Sequence, residues 1–166
     1  MHARPRTKVA LAAALAAGAA LAQGGLRVSG NHCRYGARSL RPGFAPHVVV
    51  MRVGPDRATD VAPLRLGREC AGLVTLEPDV IVRTTTALPL RFAVRGDGDT
   101  TLVVNTPDWR WRCDDNSGGG LNPRVDVPEG EPGQYDVWVG RRAAATAPVR
   151  AVLTISQHPS APVARR

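Results

Sequence analysis

The chain has 166 residues, with 22 Lys and Arg against 14 Asp and Glu for a formal net charge of +8. Only 4% of residues are aromatic, and the basic residues are scattered rather than set in a stripe with aromatic platforms, which argues against nucleic-acid binding.

The first segment reads as a signal peptide over Met1 to Ala22. Arg4, Arg6 and Lys8 form a basic start, Val9 to Leu21 is an unbroken apolar run, and Ala20-Leu21-Ala22 supplies the small-residue cleavage site. Thirteen apolar residues fall short of the ~20 that span a bilayer. No cysteine follows the cleavage site to take a lipid, and Pro5 separates Arg4 from Arg6, so no twin-arginine pair exists. The expectation is export by the general secretory route to the periplasm or beyond, with no membrane association after cleavage. Cleavage after Ala22 leaves 144 residues, with 19 basic residues against 14 acids and a net charge of +5. That is one domain, large enough for a single core. All nineteen are arginine, which fits GC-rich coding better than a selected polyanion surface.

Three cysteines remain, Cys33, Cys70 and Cys113. In an oxidising compartment one pair is expected to form a disulfide, and three pairings are open. Their spacings exclude a zinc knuckle, and His32, His47 and His158 are not set as metal-ligand pairs.

Gln23 to Arg34 is polar and glycine-rich, and reads as a flexible leader to a domain over residues 35–156. His47 to Val53 is its first convincing strand. Gly54 to Arg68, with Pro55 and Pro63, reads as a loop or an edge strand. Cys70 to Thr75, Val80 to Thr85 and Leu90 to Arg95 follow as short strands. The chain is then organised around Asp97 to Gly140, which holds the densest acids and all three tryptophans. Its β-branched runs, Thr100 to Val104, Val125 to Val127 and Tyr135 to Val139, alternate with Gly, Pro, Asn and Asp clusters. Gly133 allows the turn into the last of these, where Tyr135, Val137 and Val139 share one face and Asp136 and Trp138 the other. Pro148 to Ser156 closes the sheet, and residues 157–166 form a basic, proline-rich tail expected to fray. No helical period persists outside the signal segment. Seven to nine short strands predict an all-β antiparallel β-sandwich or jelly roll.

From Tyr35 to Ser156 the order of features resembles the bacterial pre-peptidase C-terminal domain, a secreted β-sandwich often appended to extracellular proteases. The resemblance rests on Leu40 to Phe44, Cys70-Ala71-Gly72 followed by Pro78-Asp79-Val80, and Asp99 to Val104. It continues through Pro107-Asp108, Cys113-Asp114-Asp115, Gly118-Gly119-Gly120, Asn122-Pro123 and Gly133 to Gly140. The resemblance implies a Cys70–Cys113 disulfide and a binding, targeting or folding-assistance role beside extracellular protein or polysaccharide.

Calcium is the first candidate for chemistry. Asp97 and Asp99 share one glycine-containing turn, and Asp114, Asp115 and Asn116 another, offering hard oxygen ligands on flexible loops. Some relatives of this domain bind Ca²⁺. The plainer account is that these acids form turns by bonding their own backbone. Second, Asp115-Asn116-Ser117-Gly118-Gly119 echoes a serine-protease nucleophile, with His47 and Asp60 upstream. The chain is too short for two barrels and has no Gly-x-Ser-x-Gly elbow, so a small secreted serine-type hydrolase is the rival reading. Third, Trp109-Arg110-Trp111-Arg112 on a strand would place both tryptophans on one face, as a ligand platform with Trp138 or as core packing. An envelope structural protein dimerised through Cys33 is a further alternative. The reading that results is a non-catalytic exported binding or structural module.

Overall fold

The computed structural model describes residues 25–144 and 147–158. The signal segment and most of the 157–166 tail lie outside these. In chain order the strands are β1 (Ala37–Leu40), β2 (His47–Val53), β3 (Thr59–Asp60), β4 (Leu73–Val74), β5 (Val80–Thr84), β6 (Leu90–Gly96), β7 (Thr100–Asn105), β8 (Trp111–Asp114), β9 (Arg124–Val127), β10 (Gly133–Arg141) and β11 (Val149–Gln157). Among the described residues the remaining regular element is a 3-10 turn at Ala62–Leu64.

The smaller sheet runs β2-β11-β6-β9, antiparallel throughout. The larger is built on β10. One side of β10 pairs with β7, which in turn pairs with β8. Its other side pairs with β5 along Gly133 to Val137 and with β4 at Arg141. Beyond these lie β1, parallel to β5, and β3. The all-β two-sheet sandwich is the expected fold class. The tally exceeds seven to nine because β1, β3 and β8 are short edge strands without a full alternating pattern. The region 54–68 supplies β3 at an edge, and the strand expected over 70–75 shrinks to Leu73–Val74.

The inward faces of the two sheets meet in the main core, which takes Val49, Met51, Phe92, Leu102, Val137 and Leu153 among others. Tyr135, Val137 and Val139 point into it while Trp138 points away, as their alternation predicts. Trp138 is nevertheless fully buried, because the outer face of the large sheet has its own cover. Leu26, Val61, Cys70, Val74 and Val103 close over it. This double burial explains why β7 has no exposed position and why its central Leu102-Val103-Val104 does not alternate with polar residues.

Residues 25–34 correct the expectation of a loose leader. Leu26 is fully buried, Arg27 N donates to Leu76 O (3.0 Å), and Ser29 N donates to the Asp136 carboxylate (2.8 Å). The segment is glycine-rich and polar because it lies across a sheet and satisfies backbone groups. It is not a solvated lead-in.

A buried ion pair fastens the same cover. β5 pairs with β10 as far as Val137 and β4 only at Arg141, which leaves Val139 between them without a strand partner on that side. Asp79 and Arg57, both at 0% exposure, fill the gap. Val139 N donates to Asp79 Oδ2 (2.8 Å), Arg57 Nε donates to Val139 O (3.4 Å), and Arg57 Nη2 meets Asp79 Oδ1 at 2.6 Å. Arg34 and Asp56 complete the cluster at its surface. Burial pushes the Asp79 carboxyl up to about 6, against the pull of Arg57 and the Val139 amide.

Candidate functional site

The central stretch folds into a hairpin, β7 to β8, followed by a loop into β9. Asp114 organises that loop: its Oδ2 accepts from Ser117 N (2.9 Å) and Arg124 N (2.8 Å). Ser117 Oγ donates to Arg124 O (3.1 Å), and Gly118 N to Asn122 O (2.8 Å). A Cβ at Gly118 would stand 2.7 Å from Asn122 O, so the chain can close here only on glycine.

Cys70 and Cys113 form the disulfide implied by the resemblance, with Cα atoms 4.9 Å apart and 43 residues between them. A loop of that length contributes roughly 2–4 kcal/mol. The bridge also brings residues 67–70 beside β8. β8 and β9 are edge strands, one from each sheet, and between them opens a cleft of about 440 Å³. Arg68, Glu69, Trp111, Arg112, Ser117 and Asp126 are among its lining residues. Asp126 is already held by Arg91 (2.6 Å), whose hydrogen bonds keep its carboxyl below the usual range. Among the described residues, Arg68, Glu69 and Arg112 make no ion pair, and the buried Arg112 Nε has no hydrogen-bond partner.

The tip of the hairpin carries Trp109, which is 54% exposed and adopts φ 62°. This left-handed conformation is unfavourable for a bulky side chain. Its neighbours enforce it: Trp109 N donates to Thr106 O (2.8 Å), Thr106 N to Arg110 O (2.9 Å), and Arg110 pairs with Asp108 (3.0 Å). The Thr106 hydroxyl donates to Asp108 (2.5 Å) and, more than Arg110, holds that carboxyl below its ordinary range. The geometry corrects the reading of Trp109 and Trp111 as one strand face. Trp109 belongs to the turn, Trp111 begins β8 and packs half-buried against Trp138 (5.7 Å), and Trp138 lies inside. The outer face of the sheet needs two indoles for its cover, which leaves one for solvent.

The five residues proposed for calcium do not fit an ion. Among the described residues no three His, Cys, Asp or Glu side chains converge. Asp114 is engaged by two amides, Asp115 by Arg142 (2.8 Å), and Asn116 is exposed with its carbonyl accepting from Gly119 N. Asp97 is exposed, and Asp99 directs Oδ1 into a buried position with no hydrogen-bond partner. A buried carboxylate oxygen on its own is no coordination sphere. Nor are Ser117, His47 and Asp60 brought together. His47 stacks on Phe44 in β2, across the small sheet from β9 by three strand spacings, about 14 Å. Asp60 caps Ala62 N at the far edge of the other sheet. Cys33 is half-buried and unpaired.

Sequence reasoning found Trp111, Cys113, Asp114 and Ser117 in the central stretch, but missed Arg68, Glu69 and the unpaired state of Arg112. The available signal was the Cys70–Cys113 link, which carries the charged Gly67 to Cys70 segment to β8.

No family model matches the sequence, and no curated protein matches it. Among solved structures the chain is similar to the pre-peptidase C-terminal domain of a collagenase from Bacillus anthracis. The identity is 10% and the TM-score 0.44, over 76% of this chain and 100% of that one. It is also similar to a periplasmic lysozyme inhibitor of g-type lysozyme from Aeromonas hydrophila, at 12% identity and TM-score 0.38, over 76% and 100% of the two chains. The first of these belongs to the family that the sequence resembles.

Proposed function

We propose that this is an exported, non-catalytic β-sandwich that binds an extended segment of polypeptide in the cleft between β8 and β9. One observation carries the reading. The cleft joins the free backbone edge of β8 to charges of both signs, Arg68, Glu69 and Arg112, that have no ion-pair partner among the described residues. Charge of both signs beside a free strand edge suits a ligand with its own backbone and mixed side chains. Trp109, held out by its turn two residues before β8, offers an aromatic anchor at one end. The disulfide fits an oxidising compartment, and the segment 1–22 fits export through the general secretory route.

Fluorescence anisotropy of labelled ligands tests this. Fluorescein-labelled, carboxymethylated α-lactalbumin, an unfolded polypeptide, is expected to bind, and fluorescein-labelled cellohexaose is not. Trp109→Ala and Arg112→Ala should both weaken the polypeptide's binding. Gels of the same mixtures should show the polypeptide intact. Its cleavage, lost in Ser117→Ala, would favour the hydrolase instead, and binding of cellohexaose alone would make the ligand a polysaccharide.

A further inference from the structure

The opposite side of the sandwich carries a second unfinished surface, independent of the cleft. Among the described residues β2 pairs only with β11, so its seven residues form one edge of the sheet. The backbone direction along that edge is fixed by Tyr35. Its hydroxyl accepts from Arg52 N (3.2 Å) and donates to Arg52 O (3.3 Å), so both groups of Arg52 turn away from β11. Antiparallel pairing alternates by residue, so Val50 and Val48 turn theirs the same way, toward solvent.

Their side chains are exposed too, Val48 at 60% and Val50 at 53%, on the outer face of the small sheet. An exposed apolar edge of this length is a template for another strand, which isolated domains normally blunt with charge, proline or a bulge.

The charges around it define what fits. Arg52 stands directly across from Arg150, and Val50 from Val152, which in turn faces Arg95. Like charges directly opposed on adjacent strands repel. None of Arg52, Arg95 and Arg150 has an ion-pair partner among the described residues. On the far half of the same face, by contrast, Arg91 and Arg124 share Asp126. Tyr35, Val50, Met51, Arg52 and Arg150 line a hollow of about 440 Å³ at the capped end of the edge.

We infer that the free edge of β2 accepts an extended strand from an acidic partner, its backbone pairing with Val48 and Val50 and a carboxylate seated between Arg52 and Arg150. The main-chain bonds supply a sheet partner, and the carboxylate relieves the Arg52–Arg150 repulsion. A second copy of this chain brings its own unpaired arginines to the contact, and the arginine-rich tail at 157–166 has the wrong sign.

The test uses protein purified from the exported fraction and fluorescein-labelled peptides read by anisotropy. Acetyl-(Val-Glu)₃-amide is expected to bind. Acetyl-(Val-Lys)₃-amide, and a (Val-Glu)₃ peptide with alternate amides N-methylated, are expected not to. In an Arg112→Ala background, which removes the cleft's own contribution, Arg150→Glu and Val50→Lys should each weaken the acidic peptide about tenfold or more. Arg150→Ala should raise or preserve the melting temperature at low salt, a readout independent of any ligand. Equal binding of the lysine peptide, indifference to Arg150→Glu, or a fall in melting temperature for Arg150→Ala would overturn the proposal. So would phosphatidylglycerol vesicles binding where the peptide does not, or a dimer in sedimentation abolished by Val50→Lys.

Discussion

Val139 lies where neither β5 nor β4 reaches β10, and Asp79 and Arg57 supply the acceptor and donor that a strand residue would have supplied. Removing one partner strands a buried charge, which typically costs about 3–5 kcal/mol. Arg57→Met should therefore lose that much in urea unfolding. The double variant Arg57→Met with Asp79→Leu removes both charges but leaves Val139 N–H and C=O unpaired. It should recover only in part, with about 1–3 kcal/mol lost for each orphaned group. A double variant as stable as the wild type would show that the pair does not stand in for a strand. The same carboxyl sets a pH dependence. Its folded pKa, about 6, lies above the ordinary 3.8, so the folded state binds more protons between those values. The contribution is fully present below about pH 4 and is lost as pH rises through 6. Compared with Asp79→Asn, the wild type should gain stability on going from pH 7.5 to pH 4.5, and parallel profiles would contradict the assignment. Sequence gave no direct sign of the pair. Asp79 sits between Pro78 and Val80 as an ordinary strand-start acid, and Arg57 lies in a stretch whose lack of period suggests solvent.

At the level of elements, legibility followed how many faces a strand buries. β2, β6 and β11 bury one face, and their alternation placed them within a residue or two of their observed bounds. β10 was read correctly for which side chains share a face, yet Trp138 was left between a ligand platform and core packing, because nothing in Tyr135 to Val139 says that another segment lies over it. That segment starts at residue 25, far away in sequence, and its composition is that of a linker. Leu26 is its one large apolar anchor at full burial, so Leu26→Ala should cost about 2–4 kcal/mol and shift thermal unfolding down. A neutral Leu26→Ala would mean that the segment is dispensable to the fold. β8 was missed for a different reason. The alternation in Trp109 to Arg112 suggested one strand, but the Thr106, Asp108 and Arg110 contacts bend Trp109 into a turn, and side-chain periodicity does not register a local hydrogen-bonded loop.

Across the whole molecule, the two sheets end in edges of different character. At β8 and β9 the edges flank a cleft walled by charge and by the disulfide-linked 67–70 segment. At β2 the edge is open apart from the Tyr35 hydroxyl on Arg52. The acids of the central stretch belong to its architecture: Asp114 and Asp115 hold loops through amides and Arg142. Millimolar Ca²⁺ against a chelator is therefore expected to leave the melting temperature unchanged. A rise abolished by Asp99→Asn would show that the loops rearrange around an ion.

The central claim is that the β8–β9 side is where this protein meets its ligand. Site-specific photo-crosslinking in intact cells tests it most directly, with a benzophenone amino acid replacing Trp109, 54% exposed, or, as a control outside β8, β9 and their loop, Leu76, 47% exposed. The account predicts a discrete polypeptide adduct from position 109 that weakens in Arg112→Ala, with none from position 76. Identical adducts from both positions, or none from 109 while the protein is folded and exported, would contradict it.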